Sequence, residues 1–228
     1  TMIWDDLGFL LSKNKYNENS LIVEIFTENH GKVSGIIYGA SSKKIRNYLQ
    51  IGNKFHVNYN FKNENKLGYL KVEIDQMLSP QFFDDRKKLL CILSSISLIK
   101  SLTVENQSNS NIYFLLNNFY DFLGSKNWLV NLIFWELNLL KVIGYDLELK
   151  KIVNAETVDG KKLYFVSEKN NKRYIPNFLV ENNINEESFD KVLNGFKLVS
   201  DYMDKSIFKP NNIPHPKSRI EFLNLLKE

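Results

Sequence analysis

Cysteine is almost missing from the chain. A single thiol, Cys91, in 228 residues excludes an intramolecular disulfide and any multi-cysteine zinc site, and it fits a reducing compartment. Histidine is nearly as scarce: His30, His56 and His215 fall in a turn, on a strand and before a proline, and read as exposed structural residues rather than catalytic bases. No GxxxxGK[ST] or GxGxxG segment opens a helix after a strand, so there is no phosphate cradle for ATP or a dinucleotide. Asp5, Asp6 and Glu18 read as ordinary surface carboxylates rather than an acid pair for hydrolysis. No apolar run approaches the roughly 20 residues that span a bilayer, and "TMIWDDLGF" has neither a basic leader nor a long apolar region. These absences argue against a motor, a metalloenzyme and a nucleophilic hydrolase. They leave no catalytic residue, metal ligand or cofactor site to name, in a chain that reads as soluble and cytoplasmic.

Hydrophobic residues make up 43% of the chain, enough for a real core, while 30 Lys and Arg against 26 Asp and Glu give a formal charge of only +4. So small an excess does not identify a polyanion binder; clustering decides. Gly8, Gly31, Gly35, Gly39, Gly52 and Gly68 punctuate short apolar segments, which is the rhythm of β-structure. "GFLLSKNKY" and "SLIVEIFTENHGKVSGIIYG" predict three strands, the last two turning at Asn29, His30 and Gly31. "NKFHVNYNF" alternates, with Phe55, Val57, Tyr59 and Phe61 on one face, mostly as core, and "KLGYLKVEID" closes the set. Strands this short and hairpin-rich, without regularly interspersed helices, predict a small closed barrel, an OB-fold over 1–79.

After Pro80 the period changes. Leu89, Leu90, Leu93, Ile96 and Ile99 fall on helical spacing. "NIYFLLNNFYDFLG" and "NWLVNLIFWELNLLKVIGY" predict two further helices ending at Gly124 and Gly144, each in a position that needs positive φ. "KKLYFVSEKNNKRYI" reads as a hairpin turning at Asn170 and Asn171, part of a small lobe near 147–175, and two more helices follow it. The fold class is therefore α+β: a five-stranded OB-fold barrel, then a mainly α-helical domain over 80–228 with a hairpin lobe.

The stretch "YGASSKKIRNYLQIGN" places Lys43, Lys44 and Arg46 in a small-residue loop between Tyr38 and Tyr48, whose rings are expected at the surface. Lys and Arg neutralise phosphates and release counterions, while aromatic rings stack unpaired bases, so this pairing is what a single-strand groove needs. Lys32 and Lys54 are counted with the set as DNA contacts. The plainer alternative is a solvated loop whose lysines keep the barrel soluble.

The order of elements adds a family resemblance. Tyr16, Glu18 and Ser20, then Phe26, Thr27 and Gly31, then Gly39, Ala40, Lys43 and Lys44 follow one another as in the opening of the bacterial recombination mediator RecO family, which this chain resembles. A second match lies at "FWELNLLKVIGYDLEL", with Leu139, Leu140, Gly144 and Tyr145 in a Leu-Leu-x-x-x-Gly-Tyr turn. The resemblance implies a DNA repair and homologous recombination mediator, not an enzyme, located in the cytoplasm with the nucleoid. It further implies binding of single- and double-stranded DNA, ATP-independent annealing of complementary strands, displacement of single-stranded-DNA-binding protein, and partnership with RecR in loading recombinase. Lys126 and Lys141, near the ends of the apolar "NWLVNLIFWELNLLKVIGY", are the candidate contacts for the acidic C-terminal tail of single-stranded-DNA-binding protein. The rival function is a protein-interaction scaffold with no direct DNA binding. Two departures from the family pattern stand out: "KKIVNAETVDGKKLYFVS" has no cysteine where many relatives carry a cluster, and Ile133, Phe134 and Trp135 precede Glu136 where some carry an arginine. The first gives a direct expectation. Elemental analysis of the purified chain should find no stoichiometric zinc, and a chelator should leave its thermal unfolding unchanged.

Overall fold

In the computed structural model, which describes residues 2–63, 65–185 and 187–228, the chain opens with a closed barrel. Its strands are β1 (Met2–Asn17), β2 (Ser20–Thr27), β3 (Gly31–Tyr38), β4 (Lys54–Phe61) and β5 (Gly68–Gln76), with the short helix α1 (Lys43–Tyr48) between β3 and β4. The ring order β1-β2-β3-β5-β4 closes on β1, and this is the OB topology expected from the sequence. β1 starts at Met2 rather than Gly8 because one strand serves two partners. Met2 to Phe9 pair with Phe61 to Lys54 of β4, and Gly8 to Asn17 pair with Thr27 to Ser20 of β2, with a register shift between Leu10 and Ser12. Asp5 and Asp6 hide the first part of the strand from a hydrophobicity reading. Leu10, Val23, Ile25, Val33, Ile37, Phe55, Val57 and Leu70 fill the interior, each contributing about 2 kcal/mol of burial before entropy is charged against it.

Closure depends on a short parallel seam. β3 and β5 meet through only two pairs, Gly35 with Gly68 and Ile36 with Tyr69. The Tyr59 ring lies over the paired glycines: a Cβ on Gly35 would sit 3.1 Å from its Cε2 and one on Gly68 2.7 Å from the same atom. The ring is anchored there by its hydroxyl, which donates to the Ser34 carbonyl at 3.0 Å.

The chain divides into two compact units, 1–117 with 216–225, and 118–215 with 226–228. The first contains α2 (Arg86–Leu102) as well as the barrel. Asp85 caps α2, its carboxylate accepting from the Lys88 amide at 3.1 Å. At the other end Lys32 Nζ donates to the carbonyls of Lys100 at 2.8 Å and Thr103 at 2.6 Å, a buried cation on the last turn of a helix. The division between units falls within α3 (Ser110–Leu123).

The second unit holds α4 (Trp128–Val142), α5 (Leu149–Ile152), strands β6 (Asn154–Val158), β7 (Lys161–Glu168) and β8 (Asn171–Ile175), α6 (Asn177–Val180), and α7 (Phe189–Met203) running into a π-helical turn, Asp204–Phe208. α4 buries Val130, Leu132, Ile133, Trp135, Leu139 and Leu140, more than one face, so it is a core helix. It ends as predicted: Gly144 has φ +94, Tyr145 N donates to Leu140 O at 2.8 Å and Gly144 N to Lys141 O at 3.1 Å, a Schellman closure. Gly124 does not adopt positive φ; Ser125 closes α3 instead, its amide and hydroxyl both donating to Phe122 O at 2.9 and 2.6 Å. The lobe is a three-stranded antiparallel sheet, β6-β7-β8, rather than a lone hairpin. Its second turn is at Lys169 and Asn170, both at positive φ, and the added strand enters through a left-handed Asp159–Gly160 turn. The polar "NAETV" of β6 has no apolar alternation to betray it. α8 (Lys217–Leu226) belongs mostly to the first unit, where the Ser218 hydroxyl meets that of Ser97 at 3.0 Å.

The seam gives a test. A Cβ on Gly68 would lie 2.6 Å from the Asn60 carbonyl oxygen, whereas one on Gly124 meets nothing within 4 Å. Gly68→Ala should therefore cost about 2 kcal/mol in urea unfolding, and Gly124→Ala should be neutral or slightly stabilising.

Candidate nucleic-acid interface

Lys43, Lys44 and Arg46 lie on a helix, not in a loop, and all three are exposed. Six residues are too few for a helix to stand alone, so its neighbours hold it. Ser42 caps it, accepting from the Ile45 amide at 3.3 Å. Ile45 and Tyr48 pack on the barrel core, and Leu49, just beyond, is buried with its carbonyl taking a 2.8 Å bond from Lys13 Nζ. In front, Asn19 of the β1–β2 turn accepts from the Ser41 hydroxyl, and its carbonyl accepts from the Ala40 amide at 3.1 Å. With the apolar side fixed downward, Lys43 and Arg46, three residues apart, share the outer face.

Beside them in sequence Tyr38 ends β3 and is 60% exposed; its ring centroid is 6.3 Å from that of Tyr69, on β5, which is 38% exposed. The structure thus brings two open rings together, of which the sequence reading named one. The missed signal was the alternation in "GYLKVEID", where Leu70 and Val72 turn inward and Tyr69 and Lys71 must turn out. Tyr48, expected at the surface, is half-buried, its ring 6.1 Å from Phe55.

Two other candidate cations already have partners in the fold, Lys32 buried and Lys54 half-buried. Lys32 is buried on the α2 carbonyls, with Glu24 3.8 Å from its ammonium, and burial lowers its pKa against the pull of Glu24 and Glu105. Lys54 donates to Asn117 Oδ1 at 3.2 Å and lies 5.6 Å over the Phe9 ring and 5.5 Å over that of Tyr113. Lys126 and Lys141 are both exposed but flank α4, about 20 Å apart along its length, so they do not form one site. Lys141 borders a 320 Å³ cleft with Phe134, Leu137 and Leu179 in its lining, together with Lys150, Asp146 and the Lys151–Glu148 pair at 2.8 Å.

Asp6 is not a surface carboxylate. Its side chain is 1% exposed and accepts from the amides of Leu7 at 2.8 Å and Asn29 at 2.9 Å, from Asn29 Nδ2 at 3.0 Å, and contacts His30 Nδ1 at 2.7 Å. Burial alone would raise its pKa; the bonds from His30, Asn29 and Leu7 outweigh burial and hold it below the ordinary value. Thr27 completes the turn, its hydroxyl donating to the Gly31 carbonyl at 2.8 Å and accepting from the His30 amide at 3.1 Å. The histidines are likewise less open than expected: His30 is stacked on Trp4 and His215 is 11% exposed beside Asp204, while His56 is open. Among the described residues no group of three or more His, Cys, Asp or Glu could hold a metal ion, and no helix is long and apolar enough to cross a membrane.

An OB barrel with exposed cations on α1 and open rings at Tyr38 and Tyr69 is a class of fold that includes oligonucleotide binders. Comparison with known proteins makes the class specific. The family model described as Recombination protein O N terminal matches residues 2–77, and that described as Recombination protein O C terminal matches 84–183. The chain is 28% identical to a DNA repair protein RecO of Wolbachia pipientis wMel over 98% of its length and all of the relative's. It is 30% identical to that of Ehrlichia chaffeensis over 75% of this chain and 69% of the other, and 25% identical to that of Bartonella quintana over 99% and 98%. The chain belongs to the RecO family of DNA repair and recombination proteins, non-enzymatic recombination mediators. Among solved structures, Entamoeba histolytica asparaginyl-tRNA synthetase aligns at 12% identity over 95% of this chain and 60% of its own, with a TM-score of 0.29, too remote to bear on the fold.

The Asp6 cluster carries a pH expectation. A carboxyl whose folded pKa is depressed adds stability that is present above its unfolded value, near 4, and is lost as pH falls through the folded value. Asp6→Asn, which turns an amide NH₂ toward existing donors, should cost about 2 kcal/mol in urea unfolding at pH 7, and the gap to the parent should narrow toward pH 3.

Proposed function

We propose that the chain mediates homologous recombination by binding single- and double-stranded DNA along the outer strip of the barrel, annealing complementary strands without ATP, and helping RecR load recombinase on DNA coated with single-stranded-DNA-binding protein. The observation that carries the DNA part is the exposure of Lys43, Lys44 and Arg46 on α1 together with the open rings of Tyr38 and Tyr69. Three cations fixed on one short helix track phosphates without reading sequence, and neighbouring rings accept any unpaired base. That combination suits a protein that must handle strands of arbitrary sequence. The annealing, the RecR partnership and the displacement step are carried by family membership. For the acidic tail of single-stranded-DNA-binding protein, the cleft at Phe134, Leu137 and Leu179 supports a docking place, with Lys141 and Lys150 as the cations for the tail's carboxylates, since Lys151 is paired with Glu148 at 2.8 Å and Asp146 also lines the cleft; Lys126 is too distant to share it.

Replacing Lys43, Lys44 and Arg46 together by Ala should weaken binding of an oligo-dT strand and of a duplex alike. If each cation meets one phosphate, the slope of log affinity against log salt for the single strand should become shallower by about 2, from roughly 0.7 per contact. An unchanged slope in anisotropy titrations assigns α1 to solubility. No binding by the parent chain at low salt selects the scaffold reading.

A further inference from the structure

One end of the barrel carries a second group of rings that the outer strip does not use. Trp4 lies face to face on His30, centroids 3.8 Å and planes 3° apart, and leans on Tyr59 at 5.0 Å; Tyr59 in turn stacks on Phe61 at 5.1 Å and 26°. These four side chains border a 390 Å³ cleft with Lys66 and Asn106, a size within the roughly 300–1,000 Å³ of small-ligand sites. All four rings are half-buried; Trp4 and Tyr59 pack against the barrel core as well, so the group combines core contact with partial exposure.

We infer that this cleft receives one unpaired nucleobase of a bound single strand, stacked against the Trp4 and Phe61 rings, with Lys66 beside its phosphate. The inference rests on the single-strand reading of the barrel and adds a specific site to it. Three features select a base. The platform is set in advance, because buried Asp6 holds His30 under Trp4 and the Ser34 carbonyl holds Tyr59, so little ordering is left for the moment of binding. The rim offers amide groups: Asn106 is exposed, held at φ +60 with its backbone amide on the Lys32 carbonyl at 2.8 Å, and a carboxamide presents both a donor and an acceptor to a base edge. Charge fits as well. Among the described lining residues there is no carboxylate, whereas the neighbouring cleft at Asp5, Asp6, Glu28 and Glu73 would repel a phosphate. The path is continuous, since Tyr69 of the outer strip pairs with Asn60, next to Phe61.

The test uses the full chain and an oligo-dT strand carrying one 5-iodouracil, irradiated and mapped by mass spectrometry. Adducts on Trp4, Tyr59 or Phe61 are expected. Phe61→Ala should lower affinity for the strand about tenfold, a stacking loss that leaves the salt slope unchanged, and Phe61→Tyr should retain parent affinity. Adducts confined to Tyr38 and Tyr69, with Phe61→Ala binding as the parent does, would overturn the pocket and leave the outer strip standing. A parent chain that binds no single strand would overturn both. The adduct map is made on the unaltered protein, so it decides even if Phe61→Ala folds poorly.

Discussion

The barrel closes across two residue pairs, and the surface of the first unit follows from how that seam is made. Gly35 opposite Gly68 leaves the inward side of the seam bare, and the Tyr59 ring fills it beside Leu70, bonded to the carbonyl next to Gly35. Side chains at those two positions would push the ring away and open a sheet whose parallel pairing is already short. Seating Tyr59 sets the tilt of Trp4 and Phe61 on either side of it, and the next pair along the seam, Ile36 with Tyr69, aims the Tyr69 ring toward Tyr38. A constraint of closure thus leaves Trp4, Tyr59 and Phe61 half-buried at the edge of the core and Tyr38 and Tyr69 open at the surface.

Positive charge divides by the same logic into cations the fold consumes and cations it leaves open. Lys32 gives up its ammonium to the last carbonyls of α2, a position where leaving those groups unpaired would be costly, and Lys54 is held by two rings and an amide. Lys43, Lys44 and Arg46 stand on a helix whose other side is tied down by Ile45, Tyr48 and Leu49, so they have no inward place to go. A formal charge of +4 therefore says little about where the open cations lie.

The five-stranded barrel, Phe55 and Val57 as core and the Gly144 closure were legible because each rests on a local pattern: short strands between glycines, alternation in "NKFHVNYNF", a Gly after an apolar run. The same alternation, read only for what points inward, concealed Tyr69. Helix α1 reads as a loop because six residues between two strands carry no period; it is held by the packing of Ile45 and Tyr48 on the core, and its flanks are tied by Asn19 and Lys13, distant in sequence. Asp6 and Lys32 were misread for a related reason: a charged residue on a strand looks exposed until its partners, Asn29 and His30 in one case and Lys100 and Thr103 in the other, are brought to it by tertiary structure. The polar strand β6 had no signal at all.

The division between charge and rings bears on how such a protein could both seize and release a strand. Three phosphate contacts give a salt slope of about −2, so a fourfold rise in salt weakens the electrostatic part by about 16-fold, a modest dependence beside that of proteins with six to ten contacts. Stacking on rings carries no counterion and does not fade in this way. Under the proposed function, with three cations in the strip, the strand's hold at cellular salt would fall largely to Tyr38, Tyr69 and the rings around Tyr59, which would grip bases only when they are unpaired. Pairing with a complementary strand would withdraw the bases from those rings and leave the duplex held by phosphates alone. Annealing itself would then loosen the product from the barrel, with no nucleotide-driven step required by the proposal.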